Sequence, residues 1–191
     1  TRRLSDALKV PSIYCLYSRL IIDVNRPIHH PQLCRPDSDG VLIRGNFCLS
    51  EEERQERIND IFHVYHDATE RMIAGVRKRI ERPFLFSMHS CTTQLRGGAF
   101  RPWEIGITTY GDDADMERLG KIIADQEGLN VGLHQPYDCR TLPGQSCGRH
   151  GLLNGLPHVL IEIRQDLIED EAGQARWADI LARAIPKFLS V

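Results

Sequence analysis

Short apolar segments alternate along this chain with long amphipathic helices. Strands are predicted, from runs of apolar residues that are mostly β-branched or aromatic, at 84–88, 104–110, 129–133 and 158–164. Helices are predicted, from apolar residues three and four positions apart, at about 50–80, 113–127 and 171–188. This alternation favours an α/β fold in which helices flank an open sheet.

The N-terminal part of the sequence is less regular. An apolar helical face at residues 4–8 ends at Pro11, and little precedes this helix that could cap it. We therefore expect the domain to lack an N-terminal portion that lies upstream of this chain. Apolar runs at 12–16 and 20–24 predict two further strands, and a stretch rich in Pro, Asp and Gly at 26–46 predicts a long loop.

Composition limits the class of protein. A chain of 191 residues with 41% hydrophobic and 26% charged residues is typical of one globular domain, here 1–191. A net charge of -2 argues against a nucleic-acid partner, and no apolar run or signal peptide indicates a membrane or secretory location. The six scattered cysteines suggest free thiols in a reducing cytoplasm. The oligomeric state, including a homo-oligomer, is left open.

An acidic residue lies in the middle of the predicted strand 158–164. Because side chains alternate across a sheet, Glu162 shares a face with His158 and Arg164, while the isoleucines on either side of it share the other face. Burying a carboxylate among apolar residues is unfavourable and should raise its pKa, which suits a general acid or base. A structural ion pair with Arg164 is the alternative reading.

A histidine follows the strand at 84–88 directly. Ligands bind beyond the carboxyl ends of strands in open α/β sheets, so His89 is placed to contact one. A neutral imidazole is a good zinc ligand, although a lone histidine is more often a hydrogen-bonded core residue.

Arginines flank the run at 20–24. Arg19 precedes it, and Asn25 and Arg26 follow it. Arginine binds carboxylates through two parallel hydrogen bonds, so Arg19 and Arg26 could hold an anionic substrate. A surface arginine and an Asn-Arg-Pro turn explain the same residues without a function.

Two further patterns resemble metal sites. His63 and His66 lie one helical turn apart, but no third ligand accompanies them, and a helix surface is favoured. Cys139, Cys147 and His150 fit no standard zinc spacing and have no evident fourth ligand.

The order of these motifs carries a family resemblance. SRLIIDVNRP, FHVYHDA, SMHSCT and HGLLNGLPHVLIEIRQDLI follow one another along the chain. Together they closely resemble the N-formylglutamate amidohydrolase family over essentially the whole chain, and more distantly the zinc carboxypeptidases. The resemblance implies a three-layer α/β/α sandwich with a mixed open sheet, of the phosphorylase/hydrolase-like kind. It also implies hydrolysis of N-formyl-L-glutamate to formate and L-glutamate in histidine breakdown.

The same resemblance assigns roles to individual residues. It implies that His89 is a zinc ligand and that Glu162 is the catalytic base. Asn25 and Arg26, with Arg19, are implied to bind the carboxylates of the substrate. The remaining two predicted site residues are Arg164, which would orient Glu162 or contact the substrate, and His150, which would reach over the pocket from the polar loop.

The sequence also departs from the family. Its relatives carry zinc ligands in an N-terminal segment, and no histidine precedes Arg19 here. The other ligands of the zinc are therefore expected upstream of residue 1, since a catalytic zinc takes about three protein ligands. Two alternatives remain open: a different N-acyl amino acid as substrate, or a degenerate, non-catalytic relative that binds an acidic small molecule.

Overall fold

The computed structural model describes residues 1–141 and 146–190, and within them four strands form the central sheet. These strands are β3 (Leu85–Cys91), β4 (Ile105–Thr108), β5 (Val131–Leu133) and β6 (His158–Arg164). They lie in the order β3–β6–β4–β5. Strand β6 runs parallel to β3 and antiparallel to β4, while β4 and β5 are parallel, so the sheet is mixed and open.

The remaining elements surround this sheet. The helices are α1 (Arg2–Leu8), α2 (Glu51–Arg57), α3 (Val64–Arg77), α4 (Asp113–Glu127) and α5 (Glu171–Leu189). A π-helical turn, Ile58–His63, joins α2 to α3, and a second one spans Ser146–Gly151. A short hairpin of β1 (Asp37–Ser38) and β2 (Val41–Leu42) lies within the long N-terminal loop.

One face of the sheet builds the main core. The register places Ile163 of β6 beside Ile105 of β4, and Ile161 beside Ile107. These side chains pack against the apolar faces of α4 and α5, including the buried Trp177. The other face of β3 and β6 carries polar side chains among apolar ones: Ser87, His89, His158, Glu162 and Arg164, together with Leu85, Cys91 and Leu160.

Local signals in the sequence set the helix ends. Ser50 accepts a hydrogen bond from the Glu53 backbone, and the Glu53 side chain accepts one from the Ser50 backbone, which forms the predicted capping box of α2. Asp112 caps α4 through the Ala114 N–H, and Gly128 ends α4 in the left-handed conformation.

The predicted α/β sandwich with an open mixed sheet is confirmed, but the two N-terminal strands are wrong. Residues 12–15 and 22–23 have no regular secondary structure, and residues 19–21 form a turn in which the Ile21 N–H donates to the Ser18 carbonyl. The Asp23 N–H donates to the Leu33 carbonyl. Most apolar residues of the two runs are exposed or only partly buried, and Ile22 alone among them is fully buried. Ile22 instead packs with Leu33 and the α2–α3 helix in a small second core.

Two structural details bear on the other sequence predictions. All six cysteines lie in the described residues and are free thiols. No helix in the described ranges is long and apolar enough to cross a membrane.

The site face is covered by a loop that packs directly on a glycine. A Cβ at Gly106 would fall on the Gln135 carbonyl oxygen, so Gly106→Ala must displace this loop. We expect Gly106→Ala to lower the free energy of unfolding by about 3 kcal/mol, measured by chemical denaturation. The matched control is Gly75→Ala on the exposed side of α3, where a Cβ meets nothing within 4 Å. Gly75→Ala should leave the free energy of unfolding unchanged or raise it by up to about 1 kcal/mol. Equal effects of the two variants would contradict the packing argument.

Candidate active site

The sheet places Glu162 and His89 side by side. His89 of β3 and Glu162 of β6 are register partners in parallel strands, so their side chains leave the same face of the sheet. On the other side of Glu162 the register partner is Gly106 of β4, which adds no side chain. The predicted pair is therefore brought together at the centre of the polar face.

The Glu162 carboxyl group is buried and incompletely hydrogen-bonded. Its residue is 7% exposed, and its Oε2 atom has no hydrogen-bond partner among residues 1–141 and 146–190. Burial raises the pKa of Glu162 to about 7, against the opposing charges of Arg19 and Arg101. A carboxyl group with this pKa exchanges a proton readily near neutrality.

The His89 imidazole is neutral at physiological pH. Burial lowers the pKa of His89 to about 4, although the nearby Asp23 carboxylate acts in the opposite direction. The Nε2 atom of His89 lies 3.0 Å from the Ser87 hydroxyl, two positions earlier on the same face of β3. A neutral ring beside Glu162 adds no positive charge that would stabilise the carboxylate.

Asp23 organises the three predicted carboxylate-binding residues. Its Oδ2 atom lies 2.6 Å from Nη2 of Arg19 and 3.7 Å from Nε of Arg26. Its Oδ1 atom accepts a 3.0 Å hydrogen bond from the backbone N–H of Asn25. The buried Asp23 therefore holds this turn together. Sequence reasoning missed it, although an acidic residue in the apolar run 20–24 is the same signal that singled out Glu162.

Asn25 ties this turn to the segment that carries His150. The Asn25 side-chain oxygen accepts a 3.1 Å hydrogen bond from the Ser146 backbone N–H. A cavity of about 720 Å³ lies between α3 and β3, and Arg19, Asn25, His89 and His150 all contribute to its wall. Four of the predicted site residues thus line one cavity. Glu162, Arg26 and Arg164 are not among its lining residues, and Glu162 lies next to the cavity only through its register partner His89.

Arg164 occupies a different environment from the other predicted residues. It forms an ion pair of 2.8 Å with Asp166 and donates a 3.3 Å hydrogen bond to the Arg101 carbonyl. The arginine charges that act on Glu162 come from Arg19 and Arg101. The ion-pair partner of Arg164 is therefore Asp166, and not Glu162 as in the alternative reading of the sequence.

Arg101 is a site residue that the sequence did not single out. It is 9% exposed and donates hydrogen bonds to the Thr92 carbonyl at 3.1 Å and to the Tyr137 hydroxyl at 3.0 Å. Its guanidinium group also lies 4.8 Å from the centre of the Tyr137 ring. The only available signal was an arginine in the excursion between β3 and β4, and its burial depends on distant contacts.

The two alternative metal patterns are not formed. His63 is exposed, whereas His66 is fully buried and points toward His150, so the two histidines do not share a site. Cys139 receives a hydrogen bond from Thr108, and no group of three His, Cys, Asp or Glu side chains in the described residues is arranged to hold a metal.

The zinc ion that the family resemblance implies also requires a set of suitably placed ligands. A catalytic zinc site takes three protein ligands, and His89 contributes a single neutral imidazole whose Nε2 atom is within hydrogen-bond distance of Ser87. The described side chains therefore do not fit a zinc ion by themselves.

Comparison with known families places the chain among the amidohydrolases. The family model that matches, over residues 1–169, is that of N-formylglutamate amidohydrolase, and the chain belongs to this family. Comparison with curated proteins gives no match.

Two solved structures resemble the chain. Gene product Atu2144 from Agrobacterium tumefaciens is 33% identical with a TM-score of 0.89, and the match covers 99% of this chain and 74% of that one. The N-formylglutamate amidohydrolase from Ralstonia eutropha is 20% identical with a TM-score of 0.60, and the match covers 82% of this chain and 59% of that one. At the lower identity the likeness concerns the fold.

The raised pKa of Glu162 has a consequence for stability. The folded state keeps the proton up to about pH 7, whereas the unfolded chain releases it near the ordinary pKa of 4.5, so stability falls as the pH rises between these values. Glu162→Gln removes this dependence. When the pH is raised from about 5.5 to about 8.5, the free energy of unfolding of the variant should increase by about 2 kcal/mol relative to that of the wild type.

Urea denaturation in the presence of a chelator measures this difference. Glu117→Gln, at an exposed position of α4, is the matched control and should change nothing with pH. A wild type and a Glu162→Gln variant that respond identically to pH would show that the carboxyl group is not destabilised by burial.

Proposed function

We propose that this chain hydrolyses the amide bond of N-formyl-L-glutamate, or of a similar N-acyl amino acid, to formate and L-glutamate in histidine breakdown. The observation that carries the proposal is the buried carboxyl group of Glu162 beside the neutral imidazole of His89. Membership of the N-formylglutamate amidohydrolase family supports it independently.

Glu162 is proposed as the general base. Its carboxylate takes a proton from a water molecule while the water oxygen attacks the formyl carbon. The proton then passes to the amide nitrogen as the C–N bond breaks, which releases formate and the free amino group. A carboxyl group with a pKa of about 7 suits both transfers, because neither protonation state is strongly favoured near neutrality.

The turn that Asp23 holds together, which carries Arg19, Asn25 and Arg26, is proposed to bind the carboxylates of the substrate. Two guanidinium groups and one carboxylate leave this turn with one net positive charge, and the Asn25 backbone is fixed between the two arginines. Arg101 adds a further positive charge that acts on Glu162. A doubly charged substrate such as an N-acyl glutamate matches this distribution better than a neutral one does.

We also propose zinc as a cofactor, because the family resemblance implies it. His89 would be one of the ligands of this zinc ion. When bound, a zinc ion polarises a carbonyl group and lowers the pKa of water. Assays with added zinc and with a chelator test whether turnover depends on it.

Glu162→Gln should lower kcat for N-formyl-L-glutamate by about 100-fold or more, because the side-chain amide of glutamine cannot act as a base. The wild-type rate should fall as the pH drops below about 7, where Glu162 becomes protonated and can no longer act as a base. Formate release measures both effects, and Glu117→Gln on α4 provides the control. Near-normal activity of Glu162→Gln would remove Glu162 as the base.

A panel of N-formyl, N-acetyl and N-succinyl amino acids tests the substrate. We expect the formyl derivative of glutamate to give the highest kcat/KM. Binding of N-formyl-L-glutamate without hydrolysis of any member of the panel would instead favour a non-catalytic relative.

Arg19→Met and Arg26→Met should each raise KM by about 10- to 100-fold with a smaller change in kcat, because a charged hydrogen bond to the substrate is lost. Arg176→Met, at an exposed position of α5, is the matched control and should leave KM unchanged. A fall in kcat at constant KM would contradict a role in substrate binding.

A further inference from the structure

Two buried histidines face each other, and one of them, His150, lines the cavity. The Nδ1 atom of His66 lies 2.8 Å from the Nε2 atom of His150, and the rings are stacked with centroids 5.1 Å apart. Their residues are 0% and 1% exposed, respectively. His66 follows one π-helical turn and His150 lies within the other, and such turns often occur at functional sites.

The hydrogen bonds of this pair define which nitrogens carry protons. His66 Nε2 lies 3.0 Å from the Val24 carbonyl oxygen, which can only accept, so this nitrogen carries the hydrogen. Burial lowers the pKa of His66 to about 4, so the ring is neutral and its Nδ1 atom is the acceptor. The Nε2 atom of His150 must then be the donor.

The remaining nitrogen of the pair is His150 Nδ1. Burial also lowers the pKa of His150, so this ring is neutral and its Nδ1 atom carries a lone pair. The atom is buried and has no hydrogen-bond partner within the part of the chain that the structure describes. Leaving an acceptor buried and unpaired is unfavourable, and a ligand that supplies a donor removes that penalty.

The position of His150 is fixed from several sides. At the start of its π-helical turn, the Ser146 backbone N–H donates a hydrogen bond to the Asn25 side chain. The His150 carbonyl accepts a hydrogen bond from the Asn154 side chain. The following residue, Gly151, packs against the His158 ring so closely that a Cβ would clash. His150 and Asn25 contribute to the same cavity wall as His89.

We propose that His150 Nδ1 accepts a hydrogen bond from the amide N–H of the substrate, and that His66 is the positioning residue that fixes the required tautomer. This inference rests on the proposed function and specifies its substrate class as secondary amides of amino acids. N-alkylated amides lack the hydrogen and leave His150 unpaired. The hydrogen bond also leaves the lone pair of the amide nitrogen available for the proton from Glu162.

Substitutions at His66 separate the tautomer from simple packing. Glutamine can accept from His150 through its side-chain oxygen and donate to Val24 through its side-chain nitrogen, whereas leucine can do neither. His66→Gln should therefore preserve function and His66→Leu should not. His63→Gln and His63→Leu, at an exposed position on the same helical segment, are the matched controls.

The first measurement is ¹⁵N NMR of the full chain with labelled histidine. In the wild type and in His66→Gln we expect His150 to show a bare Nδ1 and a protonated Nε2. The Nδ1 signal should shift on addition of N-formyl-L-glutamate to Glu162→Gln, in which turnover is slowed. A protonated Nδ1 in the ligand-free wild type, or an Nδ1 signal that is insensitive to bound ligand, would overturn the inference.

The second measurement compares N-formyl-L-glutamate with N-formyl-N-methyl-L-glutamate. The wild type and His66→Gln should prefer the unmethylated compound by about 10- to 100-fold in kcat/KM, and this preference should shrink in His150→Leu and His66→Leu. Equal preference in all four proteins would overturn the inference, since a steric effect of the methyl group would persist in every variant. A wild type that hydrolyses neither compound would refute the proposed function, while the NMR result would still report the tautomer.

Discussion

A carboxyl group in the middle of an apolar strand is the constraint on which the rest of this structure depends. The two register partners of Glu162 offset little of the cost of its burial: Gly106 adds no side chain, and His89 is a neutral ring. The charges of Arg19 and Arg101 moderate the effect of burial without removing it. The outcome is a carboxyl group that changes protonation near pH 7, which ordinary glutamates do not do.

The sheet tolerates this group because its two faces serve different purposes. Isoleucines on either side of Glu162 face α4 and α5 and bury apolar area there, which supplies the dominant favourable term in folding. The same strand can therefore be stable as a whole while one residue in it is held in an unfavourable state. The strict alternation of side chains in a strand makes this division possible.

Elements with strong periodicity were predictable from the sequence. The bounds of β6 and α4 agree with their predictions. His89 was predicted just beyond the strand 84–88, whereas β3 continues to Cys91, so the pairing of His89 with Glu162 inside the sheet was not predicted. The runs 12–16 and 20–24 were wrongly predicted as strands, because a short apolar run does not by itself determine strand pairing. Of these residues only Ile22 and Val24 pack in the second core. The roles of Asp23, Arg101 and His66 were also hidden, since each depends on contacts between segments that lie far apart or on local turn geometry.

The polar groups around the cavity are ordered before any substrate arrives. Asp23 fixes Arg19 and Asn25, Asn25 fixes the start of the turn that carries His150, and the backbone of Val24 sets the tautomer of His66. All of these residues except His66 and His150 belong to one short turn, so the group that would bind carboxylates and the group that would bind the amide N–H are mechanically linked. Preorganised polar groups need not rearrange during a reaction, which is the main way in which a protein lowers a barrier that involves charge. An amide that presents its carboxylates to this turn and its N–H to His150 would therefore be held with its carbonyl group in one orientation relative to Glu162.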